Sequence, residues 1–463
     1  MGLLSRASLH PPAHDGDGGA ADLANGPRPS WILLDLKAYV ANEINSTTAT
    51  CPFKGDKDKK IQVTFFPAHP PRVSYFCVFC SGLKSSAYAL EPKIVATEAN
   101  LVLLRIALGD RIDSFDPRSH DYFIYKADGG GPNGKPLLEQ LPHPHPYIFH
   151  DEQVGLLSYN TGYTVVALRD DSSALYRKSP AGPGHYEVCI LESQDKDKGW
   201  IIKDVSVPPE QQQQQSDECK FRHATYKTIT IGGRRGTMAF VDLWRGILQY
   251  DVLGGSPLLR YTLLPEICPG RKLYKVNPLS TRDIALVEGR IKYVEMVKAE
   301  MITGSAGWKA VTWSMPVSST SKLEDRWLPP CELEACNIHD EGNLVCSELL
   351  PKLNCKEGEP KPTFASLDTD YPILSLCDDD IVYFMTKVAP VDTKACMIAV
   401  DMKSRKLERL AEFSAERMLD TAFACMHSRI SSYLKMAPGK CSQSLSCMTT
   451  YTYLILLGVL LDC

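Results

Sequence analysis

Long apolar runs are scarce in this chain, and no charge of one sign dominates it. The 51 basic and 55 acidic residues leave a formal net charge of −4. A general nucleic-acid binder carries a basic surface, so no nucleic-acid partner is expected. Residues 1–30 hold no sustained apolar core and are rich in Gly, Pro, Ala and Asp. That excludes a secretory signal. It also leaves too little apolar surface to offset ordering entropy, so 1–30 is expected to be disordered. Gly2 is present, but Arg6 stands where N-myristoylation needs Ser or Thr, with Ser5 one place early. The apolar run Tyr451 to Leu461 has eleven residues, against about 20 for a spanning helix. Counted back to Ser444 it gives eighteen uncharged residues, diluted by Ser, Thr and Cys. We read 436–463 as a divergent tail and expect no membrane association beyond a marginal contribution from it. Cys463 ends the chain, which leaves no prenylation box.

Catalytic signatures are also missing. Gly-x-Ser-x-Gly does not occur, so a hydrolase nucleophile elbow is excluded. Gly129-Gly130-Gly131-Pro132-Asn133-Gly134-Lys135 fits seven positions of a phosphate-binding loop, but Pro136 replaces the magnesium-binding hydroxyl. Prolines at 142, 144 and 146 leave no room for the helix such a loop requires. Sixteen irregularly spaced cysteines in so long a chain do not resemble a disulfide scaffold. They are read as reduced, buried, small hydrophobes.

Cys77-Val78-Phe79-Cys80 has the spacing of half a zinc site, with Cys51 and His69 as conceivable further ligands. Its neighbours are those of a buried strand, where positions three apart face opposite ways. Cys331, Cys336, Cys346 and Cys355 with His339 match no zinc module by spacing. His143, His145 and His150 sit in a Pro-rich loop and read as exposed, and Asp378-Asp379-Asp380 reads as an acidic turn before a strand, without calcium-loop spacing. We therefore assign no catalytic, cofactor-binding or metal-binding residue.

What the chain does contain is a succession of short apolar strands joined by polar turns. Val241-Asp242-Leu243-Trp244-Arg245-Gly246-Ile247-Leu248-Gln249-Tyr250-Asp251-Val252-Leu253 reads as two strands joined at Arg245-Gly246, with Gly246 permitting the turn. Ile61 to Phe66 and Val73 to Phe79 flank the turn Pro67 to Pro71. Val188 to Glu192 precedes Trp200 to Ile202; Ile247 to Leu253 precedes Leu258 to Leu264; Ala310 to Met315 precedes Arg326 to Leu328; Met397 to Asp401 precedes Leu407 to Phe413. Ile284 to Val287, Ile291 to Val294 and Asp380 to Met385 read as inner strands. Leu101 to Leu108 reads as a strand, whereas Val95 to Leu104 reads equally as a helix.

Units of this kind recur about every 50 to 60 residues, in the range of propeller blades. A blade cannot bury both its faces alone, so blades must stack around an axis. Val400 lies 87 residues after Trp313, too far for one such step and short for two. The fold expected is all-β, a propeller of about six blades over 31–435 with minor helical segments. The alternative is two β-sandwich domains split near Pro208-Pro209-Glu210. The glutamine run 211–215 reads as a loop insertion between blades. Trp200, Trp244, Trp308, Trp313 and Trp327 read as blade packing.

Val241 to Leu248, with Asp251-Val252-Leu253 and Arg260-Tyr261, resembles the signature of the plant domain-of-unknown-function family 1618, a family expanded in grasses. Pro70 to Cys77, Ala96 to Ala99, Arg282 to Lys292 and Asp378 to Met385 fit the same family, which places its core at about 241–385. The resemblance implies no catalytic residues. Its organisation is similar to propeller-like regions that follow F-box modules, but residues 1–30 cannot form such a module. Three functions are carried forward. The first is a noncatalytic interaction module of the plant cytosol or nucleus, binding a protein or peptide partner through the loops 126–146, 208–220 and 316–325. The second is an enzyme with a site in the central channel, for which Arg282, Asp283, Asp380 and His223 are the residues to inspect. The third is a ubiquitin-ligase substrate receptor lacking its own F-box.

Overall fold

The signature segment folds as two neighbouring strands, Thr237–Asp242 and Gly246–Asp251, paired antiparallel from Thr237 with Asp251 to Asp242 with Gly246. Side chains that alternate along such a strand meet different neighbours. Met238 and Phe240 pack towards the preceding sheet, with Leu157 and Val166. Ala239 and Val241 pack towards the following one, with Ile284 and Tyr293. Both faces of the strand are therefore buried, and it reads as a continuous apolar run with no period of two.

The computed structural model describes residues 4–12, 28–54, 56–109, 120–129, 134–147, 149–159, 162–169, 182–215, 221–267, 277–298, 307–317, 327–339, 364–378, 380–418 and 425–434. Five strands come first: β1 (Ile32–Asp35), β2 (Tyr39–Val40), β3 (Ala49–Phe53), β4 (Asp56–Phe66) and β5 (Val73–Cys80). Five four-stranded antiparallel meanders follow. Blade one is β6 (Lys93–Glu98), β7 (Leu101–Ala107), β8 (His120–Lys126) and β9 (Leu137–Gln140). Blade two is β10 (Val154–Tyr159), β11 (Gly162–Arg169), β12 (His185–Glu192) and β13 (Ile201–Ser206). Blade three is β14 (Lys227–Gly232), β15 (Thr237–Asp242), β16 (Gly246–Asp251) and β17 (Arg260–Leu263). Blade four is β18 (Arg282–Val287), β19 (Arg290–Lys298), β20 (Trp308–Pro316) and β21 (Cys331–Glu334). Blade five is β22 (Asp368–Leu374), β23 (Ile381–Lys387), β24 (Lys394–Asp401) and β25 (Lys406–Ser414).

β26 (Cys425–Ser428) then completes the sixth blade, in the order β26-β1-β5-β4-β3 with β2 against β5. The protein is a six-bladed β-propeller, and the sandwich alternative falls. The ring closes by pairing β26 with β1, Ile32 with Ser428 through Asp35 with Cys425. Each blade's first strand, β6, β10, β14, β18, β22 and β26, lines the axis.

Several sequence expectations need correction. Val95 to Leu104 is not helical: it spans the β6–β7 hairpin, with Ala99 at φ 50° in its turn. Trp313 and Val400 sit on equivalent third strands, β20 and β24, one blade apart. The excess length lies between β21 and β22, and much of that connection is outside the described residues. The partner of β20 is Cys331–Glu334, with Leu328 donating its N–H to Ser314 O ahead of it. Gly246 opens β16 after a three-residue connection. A Cβ there would lie 2.6 Å from Thr262 O and from the Tyr261 ring, so the glycine permits close approach of β17.

The glutamine run is a built element. Pro209–Gln212 forms a short helix, α1. Gln211 Oε1 accepts the Tyr261 N–H at 2.7 Å, which occupies the edge of β17. Gln212 donates to Val207 O, and Gln215 donates to the Tyr261 hydroxyl and to Arg222 O. Residues 4–12, within the segment expected to be disordered, carry a 3-10 turn, Arg6–Leu9, whose Leu4 and Leu9 pack against the core shared by blades six and one. Ser8 is fully buried and hydrogen-bonds Glu91. The tail 436–463 lies outside the described residues. Among the described residues no helix is long and apolar enough to cross a membrane.

Candidate functional site: the axial channel and its upper mouth

We call upper the face at which the six inner strands begin. Around it, every blade places a charged residue at or beside the upper end of its second strand: Arg105, Arg169, Asp242, Glu295, Lys387 and, on β1, Asp35. Five of the six close an ion pair. Arg105 meets Asp151 at 3.0 Å, Arg169 meets Glu187 at 3.2 Å, Arg245 meets Asp242 at 2.9 Å, Arg282 meets Glu295 at 2.5 Å and Arg417 meets Asp35 at 3.1 Å. Lys387 donates to Pro390 O. Lys93, the first residue of β6, adds contacts to Asp151 and Glu152. Burial pushes the Asp151 carboxyl up, but Arg105 and Lys93 outweigh it and hold it below the usual range.

Deeper in the bore, three inner strands meet. Lys227 Nζ on blade three donates to Asp283 Oδ1 on blade four at 2.5 Å and to His427 Nε2 on blade six at 3.2 Å. Asp283 Oδ2 accepts the Leu374 N–H of blade five at 3.0 Å. Blades three and six lie opposite one another, so Lys227 and His427 span the bore. The side chains of Lys227, Asp283 and His427 are 12%, 6% and 9% exposed. An ammonium only donates, so His427 Nε2 accepts and the ring is neutral. His427 Nε2 also lies 3.6 Å from Asp283 Oδ2, a spacing that would be an ion pair only for a protonated ring. The hydrogen bond from Lys227 decides against that form. Burial, then the Lys227 charge, lowers the His427 pKa to about 4 despite Asp283.

Towards the lower face, Glu98 ends β6 near Thr230 and Arg429. Burial raises its carboxyl to about 7, against the neighbouring Thr230 hydroxyl and the Arg429 charge. Thr230 and Thr228 tie β14 to its neighbour by donating to Leu156 O and Glu152 O.

Residues 240–383 match the family model of DUF1618, a protein of unknown function. The matched stretch runs from β15 to the start of β23 and so contains Trp244, Arg282 and Asp283. No curated protein matches the chain. Among solved structures, a GH43 protein, BlXynB, from Bacillus licheniformis aligns with TM-score 0.27 and 10% identity over 75% of this chain and 58% of its own. A Trypanosoma rangeli sialidase gives 0.28 and 10% over 70% and 48%, and apo AztD from Citrobacter koseri gives 0.29 and 12% over 85% and 88%. The chain thus spans roughly half of the first two proteins. At such low values none of them bears on activity.

Of the four residues singled out for a channel site, only Asp283 reaches the bore. Arg282, also in the matched stretch, turns into the seam between blades. Its guanidinium lies 3.9 Å from the Trp244 ring centroid of blade three and bonds Glu295 and Tyr293. That stack confirms Trp244 as an inter-blade wedge. His223 packs beside Tyr186 on the connection from blade two to blade three. Asp380 lies in the β22–β23 turn, where its carbonyl accepts the Met402 N–H.

The other tryptophans also join elements. Trp308 meets Phe384 of blade five at 4.8 Å, Trp313 stacks on Tyr293, Trp327 donates to Leu263 O of blade three, and Trp200 donates to Pro142 O. Lys227, His427, Glu98 and Arg417 escaped the sequence reading. Their one signal is a charged residue at or inside an otherwise apolar segment.

Cys77 and Cys80 fall on opposite faces of β5, in different apolar clusters, and cannot close on one ion together. Burial pushes the Cys77 thiol up to about 12. Cys331 Sγ contacts Met402 O, Cys336 is exposed, and His339 bridges to Lys406 of blade five; Cys346 and Cys355 lie outside the described residues. His143 Nδ1 accepts the His145 N–H, and His150 begins the turn Asp151–Gln153. Gly134 and Lys135 lead into strand β9 where a phosphate-binding loop would need a helix; 130–133 lie outside the described residues. Cys377 and Asp378 donate their N–H groups to Ser375, which makes the acidic stretch a hydrogen-bonded turn; Asp379 lies outside the described residues.

The His427 environment sets a pH dependence. The unfolded ring binds a proton near pH 6.5 and the folded ring only near 4. The unfolded state then holds more protons, so stability falls as pH drops from 6.5 to 4, by up to about 1.4 kcal/mol per pH unit. Glu98 acts in the opposite sense and disfavours folding as pH rises from 4.5 to about 7. In a Glu98→Gln background, Lys227→Met should let His427 protonate towards Asp283. Its pKa, followed by imidazole proton shifts, should rise above about 4; a value still near 4 would show that burial alone sets it.

Proposed function

We propose that the protein is a noncatalytic interaction module of the plant cytosol or nucleus, a rigid propeller that presents loops to a protein or peptide partner. The observation that supports this reading most is the state of the channel. Lys227, Asp283 and His427 satisfy one another across the bore and are nearly sealed from solvent. Polar groups so engaged brace opposite blades against each other and are poorly placed to receive a substrate. The lower mouth, with Glu98, is held by the same kind of strand-to-strand contact.

The candidate loops differ in what they can offer. The stretch 208–215 is committed to its own body through Gln211, Gln212 and Gln215. The candidate connections after Lys126 and Pro316 leave the third strands of blades one and four, whose ends lie on the lower face; 130–133 and 318–326 are outside the described residues. Affinity capture with the tagged full chain from plant tissue tests the reading. Replacing 127–136 and 317–326 by short Gly/Ser linkers should remove specific partners while the thermal transition is kept. An unchanged partner set would overturn the loop assignment.

A further inference from the structure

The tip of blade three carries a feature that neither the channel nor those loops explain. Two turns are joined there as one unit. The β14–β15 turn, Gly233-Arg234-Arg235-Gly236, uses glycines at φ 73° and 60°. The β16–β17 connection docks on it: Val252 N donates to Gly236 O and Leu253 N to Arg235 O. The far end of that connection is tied to blade two, since Leu259 N donates to Ser206 O and Ser206 N to Pro257 O. This backbone is held by hydrogen bonds at both ends, yet it presents Leu253 and Leu258 with 58% and 51% exposure.

Three arginines belong to the same two connections or begin the strand that follows them. The Arg235 and Arg260 side chains are 72% and 50% exposed, and Arg234 is exposed at the turn. The carboxylate among them, Asp251, is largely covered and already accepts the Thr237 hydroxyl at 2.6 Å. It lies 3.4 Å from Arg235 and 3.7 Å from Arg260, too little to neutralise three cations. Scattered exposed leucines need no explanation. Two exposed leucines on one hydrogen-bonded connection that also carries surplus positive charge do, because such a surface favours a partner of opposite charge with an apolar anchor.

The geometry points to this tip as a docking surface for an acidic, leucine-bearing peptide segment of another protein. The inference rests on the interaction-module reading and names the partner's chemistry. The leucines seat the partner's apolar residues, and the arginines pair with flanking carboxylates, bidentately where the geometry permits. The area is small, so affinity is in the weak, transient class, at about micromolar Kd. A nucleic acid fits less well, since leucines replace the aromatic platforms on which bases stack.

The test is fluorescence anisotropy on the full chain, with short labelled peptides carrying leucines among aspartates and glutamates in varied spacing. The same peptides with lysines in place of the acids, and a labelled single-stranded oligonucleotide, serve as comparisons. At least one acidic peptide should bind, and more weakly as salt rises. Arg234→Glu with Arg235→Glu should weaken it by about tenfold or more, and so should Leu253→Ser with Leu258→Ser. Lys394→Glu with Lys403→Glu on blade five should leave it unchanged. Circular dichroism confirms that each variant is folded. Absence of acidic-peptide binding, equal binding of the lysine peptides or the oligonucleotide, or insensitivity to the tip variants would overturn the assignment. The loop-replacement capture experiment would still stand or fall by itself.

Discussion

Asp283→Ala should destabilise the folded protein by about 3–5 kcal/mol, the cost of removing one partner from a buried charge pair. Asp283 holds Lys227 at 2.5 Å and also accepts the Leu374 N–H, so alanine strands a buried ammonium and a backbone donor together. His427 does not compensate, because a ring charged there would only repel Lys227. Chemical denaturation should show the midpoint falling with little change in slope, since the surface exposed on unfolding is unchanged. Lys227→Met combined with Asp283→Leu should recover the part owed to the stranded ammonium, with the Leu374 N–H still unpaired, as apolar replacement of a buried ion pair is often neutral. If the single variant loses less than about 1 kcal/mol, the bore is hydrated and the bracing account of the channel fails.

Arg417→Ala should cost about as much, by a different route. Arg417 lies on the connection from blade five to β26, and its guanidinium reaches Asp35, Ala38 O and Glu91 on the chain's first blade-forming segment. It also stacks on the Tyr39 ring at 4.0 Å. It therefore staples the two chain ends that build blade six. Removal leaves Lys37 to offset both Asp35 and Glu91 at a mostly buried site, and about 3 kcal/mol is expected to be lost. Burial already pushes the Asp35 carboxyl up. Without Arg417 it should rise further, so the variant's deficit relative to the parent should shrink at acidic pH. Urea unfolding at two pH values checks both points, and a deficit independent of pH would mean that Arg417 acts through packing alone.

Much of the scaffold was readable locally. The hairpin signals around Ile284 to Val294, Met397 to Phe413 and the signature segment fall on paired strands. They could be read because a strand sandwiched between blades is apolar on both faces and stands out against polar turns. What stayed open has equally local causes. Ala, Glu and Leu in Val95 to Leu104 kept helix and strand on equal terms, but the segment is buried between blades, and tertiary packing decides for the strand. The glutamine run does lie between blades, as read, but its hydrogen bonds to Val207, Arg222 and Tyr261 join partners that a local reading does not connect with it.

The upper charge ring was illegible for another reason. Its repeat is one of position, with Arg105, Arg169, Asp242, Glu295, Lys387 and Asp35 interchanging sign and residue type. A buried charge can be matched by whatever opposite group its own loop or neighbouring strand supplies, so packing conserves the place of the charge without its identity. No search for a recurring residue finds such a pattern.

By itself the sequence determined the strands, their grouping into blades of ordinary length, the wedge role of its tryptophans and the resemblance carried by Val241 to Leu253. All of these are consequences of side chains a few residues apart. Only the tertiary structure decided what occupies the axis, because Lys227 and His427 are 200 residues apart in the chain and meet at 3.2 Å. It also decided that blade six is built from both chain ends. Ring closure is a long-range event: it brings together polar groups whose separate sequence neighbourhoods record nothing of one another.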